Sequence, residues 1–109
     1  MEMLTRLEEL VLISVLKLKS EAYGTAIFNH IAGLTGREVT VSSVYFPLER
    51  LVRRGHLQAF QGESTPKRGG MAKRHYRLTK SGLTALQESR ALNLAAWRGV
   101  AALMKHAEA

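Results

Sequence analysis

Positively charged side chains are concentrated in the middle of this 109-residue sequence. Residues 50–90 carry ten basic and two acidic side chains, whereas residues 1–49 carry four basic and six acidic ones. The net charge of the whole chain is +7. Clustered ammonium and guanidinium groups bind phosphates, so this distribution is typical of a nucleic-acid-binding surface. A solvated basic surface without such a partner is the alternative that charge alone leaves open.

The sequence offers little of the chemistry that an enzyme or a metal site needs. It contains no cysteine and no aspartate, and its nine acidic side chains are glutamates that form no recognisable pair. No serine has an evident histidine partner, and the four histidines are scattered without ligand spacing. We therefore expect a protein that is not an enzyme and that holds no metal ion or cofactor.

The cellular setting is inferred from features that the sequence lacks. The absence of cysteine excludes disulfides, which fits a reducing cytoplasm. No charged-then-apolar leader opens the chain, and no run of eighteen apolar residues occurs. We expect a cytoplasmic protein without a membrane association.

Helical periodicity predicts the elements that position the charged residues. Apolar spacing indicates a first helix over residues 3–19 and a second over about 23–34. The first is apolar around much of its girth, as expected for a helix that packs on its own core and on a partner. A β-like stretch over residues 37–41 precedes a third helix, with N-cap chemistry from Ser42 and Ser43 and an end at glycine 55.

The second half of the sequence predicts a hairpin and a further helix. Two β-like runs over residues 56–61 and 73–79 are joined by a connection rich in turn-forming and basic residues. A last helix is expected from residue 79 to about 106. This order predicts a mainly α fold with a small β-hairpin, namely a winged helix-turn-helix plus a long C-terminal helix.

The third helix and the hairpin contain the candidate DNA-binding residues. At 100° per residue, Ser43, Phe46 and Arg50 fall on the face opposite the apolar one, and Tyr45 lies at the border. Serine hydroxyls near a helix start suit phosphates, and arginine suits a guanine edge. The candidates are Ser42, Ser43, Tyr45, Phe46 and Arg50 on the helix, with Lys67, Arg68, Lys73 and Arg74 on the hairpin.

Several of these candidates have an alternative role. The serines would then only cap the helix, Tyr45 would only pack, and Arg50 would be a solvated charge. Phe46 has two equal interpretations, because it would either contact a thymine methyl group or pack under the hairpin.

The sequence also predicts a dimer. We assign residues 1–80 to the winged helix-turn-helix DNA-binding domain and residues 81–109 to a C-terminal dimerisation helix that packs with helix one. The last helix has more apolar residues than one small core absorbs; the candidates for dimerisation and for a ligand site are Leu86, Leu94, Trp97, Ala101 and Met104. Trp97 either fills the interface or lines a site for a planar aromatic ligand, and filling is the favoured interpretation.

Several motifs resemble those of the PadR family of regulators over roughly residues 7–104. The matching pieces are Tyr23-Gly24, Val44-Tyr45, Leu48-Glu49-Arg50-Leu51-Val52-Arg53-Arg54-Gly55, Arg68-Gly69-Gly70 and Lys73-Arg74-His75-Tyr76-Arg77-Leu78-Thr79-Lys80-Ser81-Gly82. The resemblance implies a dimeric repressor of inverted-repeat operators that, in some members, releases DNA on binding a small planar molecule. The short tail is similar to the branch with a single C-terminal dimerisation helix.

Two positions depart from the family pattern. The family usually has proline directly after the tyrosine of helix three, where this chain has Phe46 and places Pro47 one residue later. Met71-Ala72 stand before Lys73-Arg74, where the family usually continues with basic residues. The first departure bears on the base preference of helix three, and the second bears on the phosphate contacts of the hairpin.

The sequence therefore predicts a sequence-specific DNA-binding transcriptional regulator. The expected form is a homodimeric repressor that binds an inverted-repeat operator in double-stranded DNA. Release by a small planar aromatic ligand is a further hypothesis, which applies if Trp97 lines a ligand site instead of filling the interface. The alternative is a winged-helix adaptor, or a non-specific nucleic-acid-binding protein, without a ligand-sensing role.

Overall fold

The computed structural model describes residues 2–62 and 73–108 of the chain. The elements are, in order, α1 (Arg6–Leu18), a 3-10 turn (Lys19–Glu21), α2 (Gly24–Leu34), α3 (Val41–Arg53), β1 (Leu57–Gln61), β2 (Arg74–Leu78), α4 (Lys80–Trp97) and α5 (Val100–Glu108). The two strands form an antiparallel hairpin. The predicted mainly α fold with a small β-hairpin is confirmed.

Helix α1 lies at the centre of the fold. A capping box defines its start: the Glu8 amide donates to the Thr5 hydroxyl at 3.1 Å, and the Thr5 amide donates to the Glu8 carboxylate at 2.8 Å. The helix packs against α2, α3, α4 and β2, and its Val11 and Leu12 are fully buried. Leu16 is exposed on another side. One side of α1 thus builds the core while another remains uncovered.

The helix-turn-helix unit is held together by apolar side chains of α1, α2 and α3. The shared core consists of Val11, Leu12, Val15, Ala22, Ile27, Ile31, Val44, Leu48, Leu51, Leu57 and Tyr76. On α3 the buried positions recur every three or four residues, as the apolar spacing predicted. The opposite side of α3 is therefore left free for a partner.

The predicted β-like stretch over residues 37–41 was wrong. Gly36 and Arg37 both have positive φ angles, of 66° and 67°, so the chain turns directly after α2. The Arg37 amide donates to the Ala32 carbonyl at 2.7 Å, which closes this turn. Thr40 is the N-cap of α3, so Val41 already belongs to the first turn of that helix. The helix cap and the turn decide the backbone here, and the sequence-based prediction did not recognise them.

The hairpin is attached to the helical core through its second strand. Leu57 pairs with Leu78, and Phe60 pairs with His75. The Tyr76 amide donates to the Ala22 carbonyl at 2.9 Å, so β2 also bonds to the connection between α1 and α2. We call the β1–β2 hairpin the wing. Its base is consequently fixed relative to α2 and α3.

The junction between β2 and α4 requires a close backbone approach. The Thr79 hydroxyl donates to the Gly55 carbonyl at 2.6 Å and accepts from the Gly82 amide at 3.0 Å. A Cβ atom at Gly82 would lie 2.1 Å from the carbonyl oxygen of His56. The Thr-x-x-Gly motif therefore places the start of α4 directly against the end of α3.

The prediction of one uninterrupted C-terminal helix was wrong. Helix α4 ends at Trp97, and a separate helix, α5, begins at Val100. Between them Arg98 has a ψ of 122°, and Gly99 has a φ of +78°. A left-handed glycine after extended backbone cannot continue an α-helix, so apolar periodicity alone did not detect the break.

Candidate DNA-binding surface

The N-terminus of α3 is organised by a capping box. The Ser43 amide donates to the Thr40 hydroxyl at 3.2 Å, and the Thr40 amide donates to the Ser43 hydroxyl at 3.0 Å. The Ser43 hydroxyl also donates to the Thr40 carbonyl at 2.8 Å. Ser43 is therefore used inside the helix start, whereas Ser42 is exposed and its hydroxyl lies 3.4 Å from that of Thr40. The sequence-based prediction did not identify Thr40 as the N-cap, although it precedes Ser42 and Ser43 by only two and three residues.

The outer face of α3, defined by Val41, Ser42, Tyr45, Phe46 and Arg53, is exposed and largely apolar. Val41 is 67% exposed, Tyr45 51% and Phe46 61%. The rings of Tyr45 and Phe46 meet edge to face, with centroids 5.7 Å apart and an interplanar angle of 71°. Two of the predicted candidates are thus brought together on one surface patch.

Arg50 lies on the side of α3 that faces α1. Its Nε donates to the Glu8 carboxylate at 3.3 Å, and the Arg54 Nη1 donates to the same oxygen at 3.0 Å. The Glu8 side chain is 2% exposed and that of Arg50 is 42% exposed. Burial raises the pKa of Glu8. The hydrogen bonds from the Thr5 amide and from Arg50, together with the charge of Arg54, lower this pKa by more, so the net shift is downward. The carboxylate is charged and holds two arginines against α1.

The base of the wing presents two of the predicted basic residues beside α3. The Lys73 Nζ lies 4.0 Å from the centre of the Tyr23 ring. Arg74 donates from Nε to the Tyr76 hydroxyl at 3.1 Å and from Nη2 to the Glu49 carboxylate at 3.3 Å. The hydrogen bond with Tyr76 raises the pKa of Arg74, which keeps this guanidinium charged. The predicted residues Lys67 and Arg68 lie outside the described part of the chain.

Two residues of this surface were not predicted as site residues. Glu49 stands on α3 within hydrogen-bond reach of Arg74, and Tyr76 is buried under the same guanidinium. Helical spacing from Tyr45 could have placed Glu49 on the same side, because four residues make about one turn. The contact with Arg74 spans 25 positions and depends on how the wing docks.

A groove separates the wing from the helix-turn-helix unit. It has a volume of about 450 Å³. Its lining residues come from the start of α2, from α3 and from β2, and they include Tyr23, Thr25, Tyr45, Lys73 and Arg74. The exposed edge of α3 and the basic edge of the wing therefore form one continuous surface.

A second surface, made by α1 and α4, is apolar. A groove of about 490 Å³ is lined by Leu16 on α1 and by Leu86, Leu94 and Trp97 on α4, among others. Trp97 is 60% exposed there, and Leu94 is also exposed. The remaining two candidates, Ala101 and Met104, lie exposed on α5 beyond the break. The structure thus brings three of the five dimerisation candidates to one groove.

Helices α1 and α4 are joined by a buried carboxylate. Glu9 accepts hydrogen bonds from the Ser89 hydroxyl and, at 2.9 Å, from the Asn93 amide. This contact ties the first turn of α1 to the middle of α4. The neighbouring residues Glu8 and Glu9 therefore bind different elements, α3 and α4 respectively.

Other kinds of site were also considered. Within residues 2–62 and 73–108, His and Glu side chains do not gather in a group of three that would hold a metal ion. Across the same residues, each helix is too short or too polar to cross a bilayer.

Several solved structures have a similar fold. The solved structures include a PadR family transcription regulator from Clostridium difficile R20291, with 16% identity and a TM-score of 0.65 over 96% of this chain and 100% of that one. A PadR-like transcriptional regulator from Bacillus cereus strain ATCC 14579 has 20% identity and a TM-score of 0.66 over 92% and 88% of the two chains.

A third structure shares more sequence. The PadR family transcriptional regulator from Eggerthella lenta DSM 2243 is 27% identical, with a TM-score of 0.67 over 87% of this chain and 80% of that one. No curated protein matches the sequence. The family model described as "Transcriptional regulator PadR-like family" matches residues 11–88, a range that covers most of α1, all of α2 and α3, both strands and the first half of α4. The chain belongs to the PadR-like family of transcriptional regulators, a family of DNA-binding proteins and not of enzymes.

Proposed function

We propose that the chain is a homodimeric repressor that binds an inverted-repeat operator through α3 and the wing. The observation that carries this proposal is the combined surface of α3 and β2. It places the exposed outer face of α3 beside the charged groups of Lys73 and Arg74. A helix entering the major groove needs such a face, and the flanking phosphates need such cations.

The α1–α4 groove supports the dimer. Leu16, Leu94 and Trp97 are exposed in one apolar groove, and a second copy of the chain would remove them from water. Two-fold symmetry would then present two copies of α3 to the same side of a duplex. Half-sites about one helical turn apart match such a dimer, and an operator with this geometry is an inverted repeat.

Repression and release follow from the same arrangement. A dimer that covers an operator blocks access of the transcription machinery. The protein would act in the cytoplasm, where the DNA is. A small planar aromatic ligand bound beside Trp97 would act on the dimer, and α1 would carry the change to α3 through Glu9 and Glu8. The alternative for Trp97 is that it fills the interface without leaving a cavity.

The decisive experiment is selection of duplex fragments from random DNA by the full chain. The proposal expects an enriched inverted repeat and protection of both half-sites. Binding that depends on salt but has the same affinity for every duplex would instead favour the adaptor or non-specific binder. A reporter placed behind the selected operator then tests repression, because expression should fall when the protein is present.

The predicted base contact by Arg50 is tested with the same operator. If the guanidinium still reaches a guanine, Arg50→Ala weakens operator binding by about 1–3 kcal/mol more than binding to random DNA. Equal losses on both duplexes would mean that Arg50 serves the contact with Glu8 and not base recognition.

A further inference from the structure

The outer face of α3 differs from a surface built for hydrogen bonding to base edges. Its exposed apolar groups are the side chains of Val41, Tyr45 and Phe46, of which only the tyrosine carries a polar atom. Polar groups are found at its two ends, where Ser42 and Arg53 are exposed. The middle of the face thus offers mainly carbon atoms to a ligand.

The polar groups nearest to this face are used within the fold. The Ser43 hydroxyl is bonded to the Thr40 backbone, and the Arg50 Nε is bonded to Glu8. The Glu49 carboxylate is bonded to Arg74. Base recognition through the same atoms would compete with contacts that already exist.

We propose that α3 recognises thymine methyl groups, with Phe46 as the residue that determines this specificity. The 5-methyl group of thymine is the apolar group that a base pair presents in the major groove, and phenylalanine is one of its known partners. The ring of Phe46 is oriented in advance by its edge contact with Tyr45, so little side-chain freedom is lost on binding. The operator half-sites are therefore rich in thymine at the positions that face α3.

Charge explains why DNA is the occupant of this apolar face. Positive groups flank it: Arg53 lies at one end of α3, and Lys73 and Arg74 lie at the start of β2. A surface with an apolar centre and cations around it is complementary to the major groove of DNA, where thymine methyl groups lie between two rows of phosphates. A second protein chain with an apolar patch would not need these cations. This inference rests on the proposed function, since it specifies which bases that function recognises.

The test uses the operator selected as described above and the full-length protein. Each thymine of one half-site is replaced in turn by deoxyuridine, which lacks only the methyl group, and the Kd is measured by fluorescence anisotropy. Wild-type binding should weaken about fourfold at a contacted position, the factor equivalent to ~0.8 kcal/mol for one buried methyl-sized group. Phe46→Ala should bind the thymine and uracil duplexes equally well, whereas Phe46→Leu should keep part of the difference.

Phe60→Ala is the matched control, because Phe60 is an exposed aromatic residue on β1 that contacts His75 and Arg77. It should retain the full sensitivity to the methyl group. The inference is overturned if no uracil replacement weakens wild-type binding to a selected operator, or if Phe46→Ala keeps the full thymine preference. The uracil series uses the wild-type protein and so does not depend on the folding of a variant. If the selection enriches no sequence, the proposed function itself fails. If it enriches an operator but uracil replacement has no effect, only the inference about thymine methyl groups fails.

Discussion

The Glu8 carboxylate of α1 and the Arg50 guanidinium of α3 are 42 residues apart in the sequence and 3.3 Å apart in the structure. Arg54 binds the same carboxylate, and Thr5 caps its helix. A single buried charge therefore fixes the start of α1 to the C-terminal half of α3. The orientation of α3, the helix proposed to bind DNA, depends on this contact.

Removal of the Glu8 charge should destabilise the protein. In Glu8→Gln the two arginines lose their shared partner, while the side chain keeps its size and can still accept one hydrogen bond. We expect the free energy of unfolding to fall by about 2–3 kcal/mol, since a buried ion pair broken on one side costs up to 3–5 kcal/mol and both arginines remain partly solvated. Denaturant titration of the variant and the wild type measures this loss.

Glu2→Gln is the matched control for that variant. Glu2 also pairs with Arg54, at 3.2 Å, but its side chain is highly exposed. An exposed pair contributes about 0–1 kcal/mol, so this substitution should hardly change stability. Equal losses for both variants would contradict the assignment of Glu8 as the buried anchor.

The same carboxylate predicts a dependence of stability on acid. Because the pKa of Glu8 in the folded chain is below its ordinary value of 4.5, its contribution to stability is complete above pH 4.5 and is lost as the pH falls through the lower folded value. The wild type and Glu8→Gln should therefore differ most near neutrality and converge in acid. A difference that grows below pH 4.5 would contradict this sign.

Predictability from the sequence depended on the range of each interaction. The helices and the hairpin could be predicted, because apolar periodicity and turn residues are local signals. The Glu8–Arg50 contact could not be predicted in this way, since it requires α1 and α3 to be placed side by side first. Arg50 therefore seemed free on the helical wheel, whereas in the structure its Nε is bonded to α1. The break at Gly99 was missed because the apolar spacing continues past it.

A basic residue of the wing should contribute to DNA binding only if it lies on the side of the wing that faces α3. Arg74 and Arg77 belong to the same strand, but Arg74 lies beside α3 whereas Arg77 contacts Gln58 and Phe60. Arg74→Ala should weaken binding to all duplexes and reduce the slope of log affinity against log salt by about one. Arg77→Ala removes the same charge and should leave the slope unchanged. Equal slopes for the two variants would show that the wing does not approach DNA with this face.

The sequence-based prediction for the connection of the wing uses the same measurement. Lys67→Ala and Arg68→Ala should also weaken specific and random duplexes alike, because phosphate contacts carry no sequence information. A selective loss on the operator would instead indicate base recognition by these residues.

Dimerisation should fail when the α1–α4 groove receives a charge. Leu94→Glu places a carboxylate in this apolar groove, where a second chain could not bury it without a large desolvation cost. Sedimentation at micromolar concentration should show a dimer for the wild type and a monomer for the variant. Thr84→Glu is the control, because Thr84 is exposed on α4 outside the groove. A monomeric wild type would contradict the two-half-site proposal.

Trp97 provides a direct assay for a ligand, because it is the single tryptophan of the chain. It lies exposed in the apolar groove, and two copies facing each other in a dimer would offer flat apolar surfaces to a planar aromatic molecule. If the dimer leaves a cavity there, planar aromatic cations should quench the fluorescence with saturable affinity and weaken operator binding in parallel. If Trp97 only fills the interface, its emission should be blue-shifted in the dimer and should not respond to any of these compounds. The comparison with Leu94→Glu separates the cases further, because a monomer that still binds the compound with the same affinity would place the ligand on one chain and not between two.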